Sequence, residues 1–260
     1  MSLLSEIFSD IFARQDNWLS RVDARTKLIV AVAFLIAVIF SSGPIFPLLT
    51  LCFCVGTALW VGLPARLVAL RLAAPMGIAI ILFLLQSVLN GSTPLWSLRF
   101  HGWEIGVTRE GTRAGMLLAT RVLGSMSVVF LLSSVTPAHR IFSALRALGV
   151  PREWVELALL MYRYVFVLLD IAADLTSAQK VRLGYSNVRR GLSSAGIVAG
   201  TLLLRSVDQA VRTHEAMQAR ACRGSIPIGP MPPMARRDLW LTCAALLALC
   251  CLFVLMEIGR

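Results

Sequence analysis

From Leu28 to Ala65 the chain carries no charged side chain. A single helix over that run would be far longer than the roughly 30 Å hydrocarbon core of a bilayer. Ser41-Ser-Gly-Pro44, with Pro47 behind it, supplies the break, because proline lacks an amide donor and these residues favour turns. The run therefore reads as two membrane spans, Leu28–Phe40 and Ile45–Leu63, joined by a tight turn. Three further apolar windows read as spans: Leu72–Leu89, Met116–Val135 and Leu239–Met256. Between the third and fourth, Asn90–Glu110 is a polar excursion with glycine, proline, tryptophan and charges. With 57% hydrophobic residues and a mean hydropathy of +0.77, the 260-residue chain is too apolar for a soluble domain. The expected class is an all-α polytopic membrane protein of about five transmembrane helices. Long cytoplasmic helices lie between spans four and five.

The net charge of +11 follows the positive-inside bias of cytoplasmic loops and their attraction to anionic lipid headgroups. No zinc-finger spacing or RNA-binding signature points to nucleic acid as a partner. Arg14, Arg21, Arg25 and Lys27 precede span one, Arg66 and Arg71 lie between spans two and three, and most other arginines fall in 137–237. All three groups face the cytoplasm under that rule, which puts the N-terminus inside and the C-terminus outside. Arg99, Arg109 and Arg113 in the outer loop run against it, accompanied by Glu104 and Glu110. The domain reading is an N-terminal segment 1–27, a four-span domain 28–136, a cytoplasmic block 137–237 and a final span 238–260. The N-terminus is read as lacking a cleavable signal. There Leu3, Leu4, Ile7, Phe8, Ile11 and Phe12 repeat at helical spacing against Glu6 and Asp10, the pattern of an amphipathic helix lying on the membrane or docked on protein.

The cytoplasmic block carries the most specific pattern. A short helix over Pro137–Leu148 ends at Gly149-Val-Pro151. A second helix is expected over Arg152–Leu183, stopping at Gly184, and a third over Gly191–Arg223, stopping at Gly224. Trp154–Leu169 and Gly191–Leu204 are apolar, but the first is interrupted by charge and the second is short, so neither is counted as a span. Each long helix has about 30 residues, or about 45 Å of rise. The short connection Tyr185–Arg190 makes them run in opposing directions, so their C-terminal ends lie far apart. Both ends present arginine: Arg182 on one, Arg220 and Arg223 on the other. Complementation of the helix dipole explains arginine in a last turn. Two like ends also suit one tip for each subunit of a dimeric partner, where an arginine fork beside a carboxylate is a directional anchor. Gly196 and Gly200 are spaced to let two helices approach closely, and are expected to mark a crossing of the long helices. Arg121, inside span four, is an intramembrane charge that is either paired, functional or snorkelling.

Catalytic constellations are missing. There is no GxxxxGK[ST] phosphate loop, no HExxH pair and no GxSxG elbow. His101, His139 and His214 sit in unrelated segments, and Cys52, Cys54, Cys222, Cys243, Cys250 and Cys251 form no CxxC pair. Neither a disulfide framework nor a metal site is expected, and the chain is read as a non-enzyme with no cofactor of its own. A self-sufficient secondary carrier would show internal inverted repeats, which the sequence lacks. An intramembrane enzyme would need paired catalytic groups at bilayer depth.

The ordered landmarks Arg21-Val-Asp-Ala-Arg-Thr-Lys-Leu28, Thr108-Arg-Glu-Gly111, Arg121, Leu145-Arg-Ala-Leu-Gly-Val-Pro151 and Tyr162-Arg-Tyr164, with the two arginine tips, carry a resemblance over nearly the whole chain. The chain resembles the transmembrane T component of energy-coupling factor (ECF) transporters, most closely its cobalt-transport branch, the CbiQ family. That family carries an Ala-Arg-X motif on each of two cytoplasmic coupling helices. Ala219-Arg220-Ala221 matches the second, and the first falls on Val181-Arg182-Leu183, where valine stands in place of the usual alanine. The resemblance implies that these tips dock into two ATP-binding-cassette ATPase subunits, which bind ATP and Mg. It implies a separate membrane subunit that captures the metal, with room for a small accessory membrane subunit, all in the inner membrane of a bacterium. Cobalt, nickel or a vitamin as cargo stay open, because recognition would lie in another chain.

Overall fold

The computed structural model describes residues 22–89, 94–100, 103–222 and 236–258. The expected N-terminal amphipathic segment, Arg223 and Gly224 lie outside the described residues. The helices are α1 (Ala24–Phe40), α2 (Ile45–Trp60), α3 (Ala65–Leu89), α4 (Arg109–Val135), α5 (Ala138–Ala147), α6 (Arg152–Val181), α7 (Val188–Ala219) and α8 (Arg236–Ile258). Between α3 and α4 lie β1 (Pro94–Phe100) and β2 (Trp103–Thr108), paired antiparallel with Phe100 opposite Trp103. The protein is an all-α polytopic membrane protein whose β structure, among the described residues, is this one hairpin. The polar excursion of the sequence is therefore folded back on itself, its backbone groups satisfied across the ladder.

Ala65–Ser87, Arg109–Val135 and Arg236–Met256 are long and apolar enough to cross a bilayer, and Ile45–Trp60 is a shorter apolar helix. With 17 residues, α1 is at the short end of what a span requires. Two boundaries differ from expectation. Helix α3 begins at Ala65, so Arg66 and Arg71 lie on the helix and not in a loop. The Arg71 guanidinium carbon sits 5.7 Å from the centroid of the Phe130 ring on α4, a contact that favours keeping the cation there. Helix α4 begins at Arg109, because Thr108 caps it: its hydroxyl accepts from the Gly111 amide at 3.2 Å, with Glu110 in the first turn.

The chain divides into two compact units, one from the residues up to Ala144 together with those from Pro232 onward, the other Leu145–Met231. In the first unit α4 packs against α1, α2 and α3, and α8 packs against α1. Lipid offers no hydrophobic drive for helices to associate, so close packing of small residues does that work. The buried face of α4 is built for it, with Gly111, Gly115, Thr120, Gly124 and Ser127. A Cβ at Gly124 would stand 2.8 Å from the Pro47 carbonyl oxygen on α2, and one at Gly115 would stand 2.9 Å from the Phe83 carbonyl oxygen on α3. Both helices thus approach α4 backbone to backbone. Ala31, Cys54 and Val128 close one core cluster there; Ala37, Val38 and Phe46 close another, flanked by Leu249, Phe253 and Met256 of α8.

Arg121 sits near the middle of the 27-residue α4, not near an end. Its guanidinium does not snorkel: Nη2 donates to the Ser41 carbonyl at 2.5 Å. Ser41 is the C-cap of α1, where helix carbonyls lack intrahelical donors. The arginine from α4 therefore satisfies the turn between α1 and α2, the same Ser-Ser-Gly-Pro break that splits the uncharged run.

Candidate functional site: two helix tips of the same shape

In the unit Leu145–Met231, α6 and α7 run antiparallel. The Ser194 hydroxyl donates to the Gly184 carbonyl at 3.0 Å, and the Tyr164 and Thr213 hydroxyls share a hydrogen bond of 2.7 Å. Going back from Gly184 to Tyr164 covers nearly the same length of helix as going forward from Ser194 to Thr213, so the two bonds clasp one antiparallel pair. Gly184 is required by space. A Cβ there would lie 2.3 Å from the Ser194 Oγ and 2.9 Å from the Gln179 carbonyl oxygen.

The ends of α6 and α7 have the same backbone form. Arg182 is the C-cap of α6 at φ −81°, ψ 12°, and Arg220 is the C-cap of α7 at φ −93°, ψ 16°. The next residue is left-handed in both, Leu183 at φ 57° and Ala221 at φ 54°. On α6 the Leu183 amide donates to the Lys180 carbonyl at 3.0 Å and the Gly184 amide to Gln179 at 2.9 Å. On α7 the Ala221 amide donates to Gln218 at 2.9 Å and the Cys222 amide to Met217 at 3.0 Å. These are paired Schellman caps, in which the left-handed position is usually glycine. Holding leucine or alanine there costs about 1–2 kcal/mol each, so two independent helices bear the same strain directly after the same residue type.

The sequence places the stop of α6 at Gly184 and the stop of α7 at Gly224. The structure ends both helices earlier, and on α6 it gives the left-handed turn to the residue before the glycine. No composition signal marks Leu183 or Ala221, since neither is a residue that favours positive φ. The backbone match puts Val181, Arg182 and Leu183 in the same three cap positions as Ala219, Arg220 and Ala221. All six are exposed, with Val181 at 85% and Leu183 at 69%. The clasp sets the first tip beside Ser194, so the helix from there to Arg220 rises about 39 Å, shorter than the full helix length.

The expected crossing at Gly196 and Gly200 is corrected. Nothing lies within 4 Å of a Cβ added at either glycine. The glycine spacing marks one face of α7, but among the described residues nothing comes close to it there; close approaches are found instead at Gly184 in this unit and at Gly115 and Gly124 in the other. A Gly196→Leu, Gly200→Leu double variant therefore keeps the yield and melting temperature of the parent, as size-exclusion and thermal denaturation in detergent will check.

Among the described residues, no three of His, Cys, Asp and Glu come together as a metal-binding group. His214 Nε2 lies 2.9 Å from the amide nitrogen of Gln218, one turn on along α7. Cys250 and Cys251 are exposed on α8, where a span meets lipid.

The match with known proteins decides the family. Residues 15–228 match the sequence profile of CbiQ, the cobalt transport protein. The chain belongs to the CbiQ cobalt transport protein family. It is 31% identical over 227 residues to the cobalt transport protein CbiQ of Rhodobacter capsulatus, covering 87% of this chain and 88% of the relative. It is 30% identical over 215 residues to an uncharacterised protein of Methanocaldococcus jannaschii, 82% and 80% of the two chains. It is also similar to the ECF transporter transmembrane protein EcfT of Acidaminococcus fermentans, 28% identical over 236 residues, 85% of each. The profile match includes α1–α7 and therefore both tips.

Proposed function

We propose that this chain is the transmembrane coupling subunit of an ATP-driven ECF-type importer of cobalt, set in a bacterial inner membrane. The observation that carries this reading is the pair of exposed arginines, Arg182 and Arg220, on helix ends of identical backbone form. The family membership and the transport names of the relatives support it. Each tip docks on one ATP-binding-cassette ATPase subunit, and ATP and Mg are bound by those subunits, not by this chain. An Arg fork beside a carboxylate fixes direction as well as position. The left-handed residue after each arginine ends the helix there, and both arginine side chains are exposed. The clasp of Tyr164 with Thr213 and of Ser194 with Gly184 makes α6 and α7 move as one lever. Metal ligands are supplied by a separate membrane capture subunit, to which the metal is cargo. The N-terminus and the tips face the cytoplasm and the C-terminus the outside.

Co-purification of the tagged chain from its native membrane tests this. Two ATPase subunits per chain and at least one further membrane subunit are expected, with cobalt-dependent uptake after reconstitution of all of them. Cobalt uptake by vesicles holding this chain alone would refute the assignment.

A further inference from the structure

The two tips share a backbone form but not their side chains. On either side of Arg182 stand Val181 and Leu183, and the first turn of α7 adds Val188 and Leu192, 92% and 77% exposed. Past Val211 the described part of α7 carries no exposed large apolar side chain, and Arg220 is flanked only by Ala219 and Ala221. Leu183 holds a left-handed backbone at φ 57°, although glycine, which adopts that conformation freely, stands next to it at Gly184. The cap hydrogen bonds fix the conformation, but glycine would meet it without strain, and the mostly exposed leucine gains no burial in return. Strain of this kind collects at functional sites. The charge around these residues is of one sign. From Leu175 to Val207 the chain carries Lys180, Arg182, Arg189, Arg190 and Arg205 and no carboxylate. The turn is also held in one shape. Besides the Ser194 bond to Gly184, the Ser186 amide donates to the Leu183 carbonyl at 3.2 Å, and Arg190 Nη1 donates to the Ser186 hydroxyl at 3.2 Å.

We propose that the α6 tip is the main anchor of the ATPase pair: Val181, Leu183, Val188 and Leu192 enter an apolar pocket rimmed by carboxylates on one ATPase subunit, while the α7 tip contributes little beyond Arg220. This rests on the coupling role proposed above and assigns it unequally to the two helix ends. Aliphatic side chains taken out of water supply affinity in proportion to their area. The cations around them supply direction and reject a pocket with a positive rim. The fixed turn favours a protein pocket over a lipid surface. A fluid interface takes up apolar and basic side chains without a set backbone, and has no use for a strained one. Attachment then survives loss of the α7 contact and not loss of the α6 contact.

The test uses the full chain in nanodiscs, with binding of its ATPase subunits read as a dissociation constant. Val181→Ala with Leu183→Gly should raise that constant at least roughly tenfold. The melting temperature should stay level or rise, because glycine relieves the left-handed strain, whereas a merely structural role for Leu183 would lower it. Ala221→Gly relieves the same strain at α7 and removes only a methyl group, so it should weaken binding less than about threefold. Leu204→Ser, which removes an exposed apolar side chain from the middle of α7, should leave binding unchanged. If Arg182→Ala with Arg220→Ala releases the ATPase subunits while the Val181→Ala, Leu183→Gly variant binds like the parent, the unequal anchor is overturned and the coupling role stands. If neither variant alters binding, both fail. Equal losses at the two tips would also overturn the proposal. So would a loss seen in nanodiscs containing phosphatidylglycerol but absent in pure phosphatidylcholine, which would give these side chains to the lipid surface.

Discussion

Replacing Arg182 and Arg220 together by alanine abolishes cobalt uptake and releases the ATPase subunits, while the chain inserts and folds as before. Both arginines are exposed cap residues outside the packed faces of α6 and α7, so truncation opens no cavity. On the proposed function each inserts its guanidinium beside a carboxylate of a partner, and truncating one member of such a buried pair costs about 2–5 kcal/mol of association. Loss at both tips weakens attachment by roughly a thousandfold or more. Lysine at either position keeps the charge but loses the planar fork, so Arg182→Lys and Arg220→Lys are intermediate. Pull-down of the ATPase subunits, uptake in proteoliposomes and membrane yield are measured on the same preparations. Wild-type uptake by the double alanine variant would sink the coupling role of the tips.

Leucine at Gly124 or Gly115 collapses the membrane unit. The contacts are with backbone, not with the far end of a flexible side chain: the Pro47 carbonyl at 2.8 Å and the Phe83 carbonyl at 2.9 Å from a notional Cβ. No rotamer change relieves them, so α2 or α3 must move away from α4. Even Gly124→Ala costs about 1–3 kcal/mol by overpacking, and leucine costs more. Because α4 meets α1, α2 and α3 at once, a shift at one contact disturbs the others. The expected result is loss of monodisperse protein for Gly124→Leu and a marked drop in melting temperature for Gly115→Leu. Gly56→Leu and Gly77→Leu serve as controls, since nothing lies within 4 Å of a Cβ at either glycine. Unchanged melting of Gly124→Leu would show that α2 and α4 are not in backbone contact.

Much of the helix count was legible in the chain because membrane helices announce themselves by composition. An uncharged run longer than a bilayer must break, and Ser41-Ser-Gly-Pro44 is where the backbone can do so. The cap at Thr108 was not read from the chain, where hydropathy started the span at Met116; the structure showed that the Thr108 hydroxyl starts α4 at Arg109. The β-hairpin was not legible, since a short polar stretch gives no periodicity strong enough to separate strand from loop.

The two arginine tips were visible as residues and invisible as a shape. Sequence could place Arg182 and Arg220 near helix ends, because helices of this kind stop where amphipathic pattern and glycine say they stop. It could not place Leu183 and Ala221 at positive φ, because that conformation is imposed on them by the hydrogen bonds of the cap. Close packing divides in the same way. A spacing of small residues, as at Gly196 and Gly200, states only that a helix has a narrow face. Which narrow face receives a neighbour depends on where the other helices lie, and the tertiary structure gave that role to Gly115 and Gly124. Arg121 was recognisable as costly from sequence alone, yet its partner is a backbone carbonyl, which every residue has and no sequence can single out. Sequence therefore determined the solvent of this protein, its helices and its family, since these follow from local chemistry summed along the chain. Tertiary structure alone decided the contacts, since these join residues that only folding brings within reach.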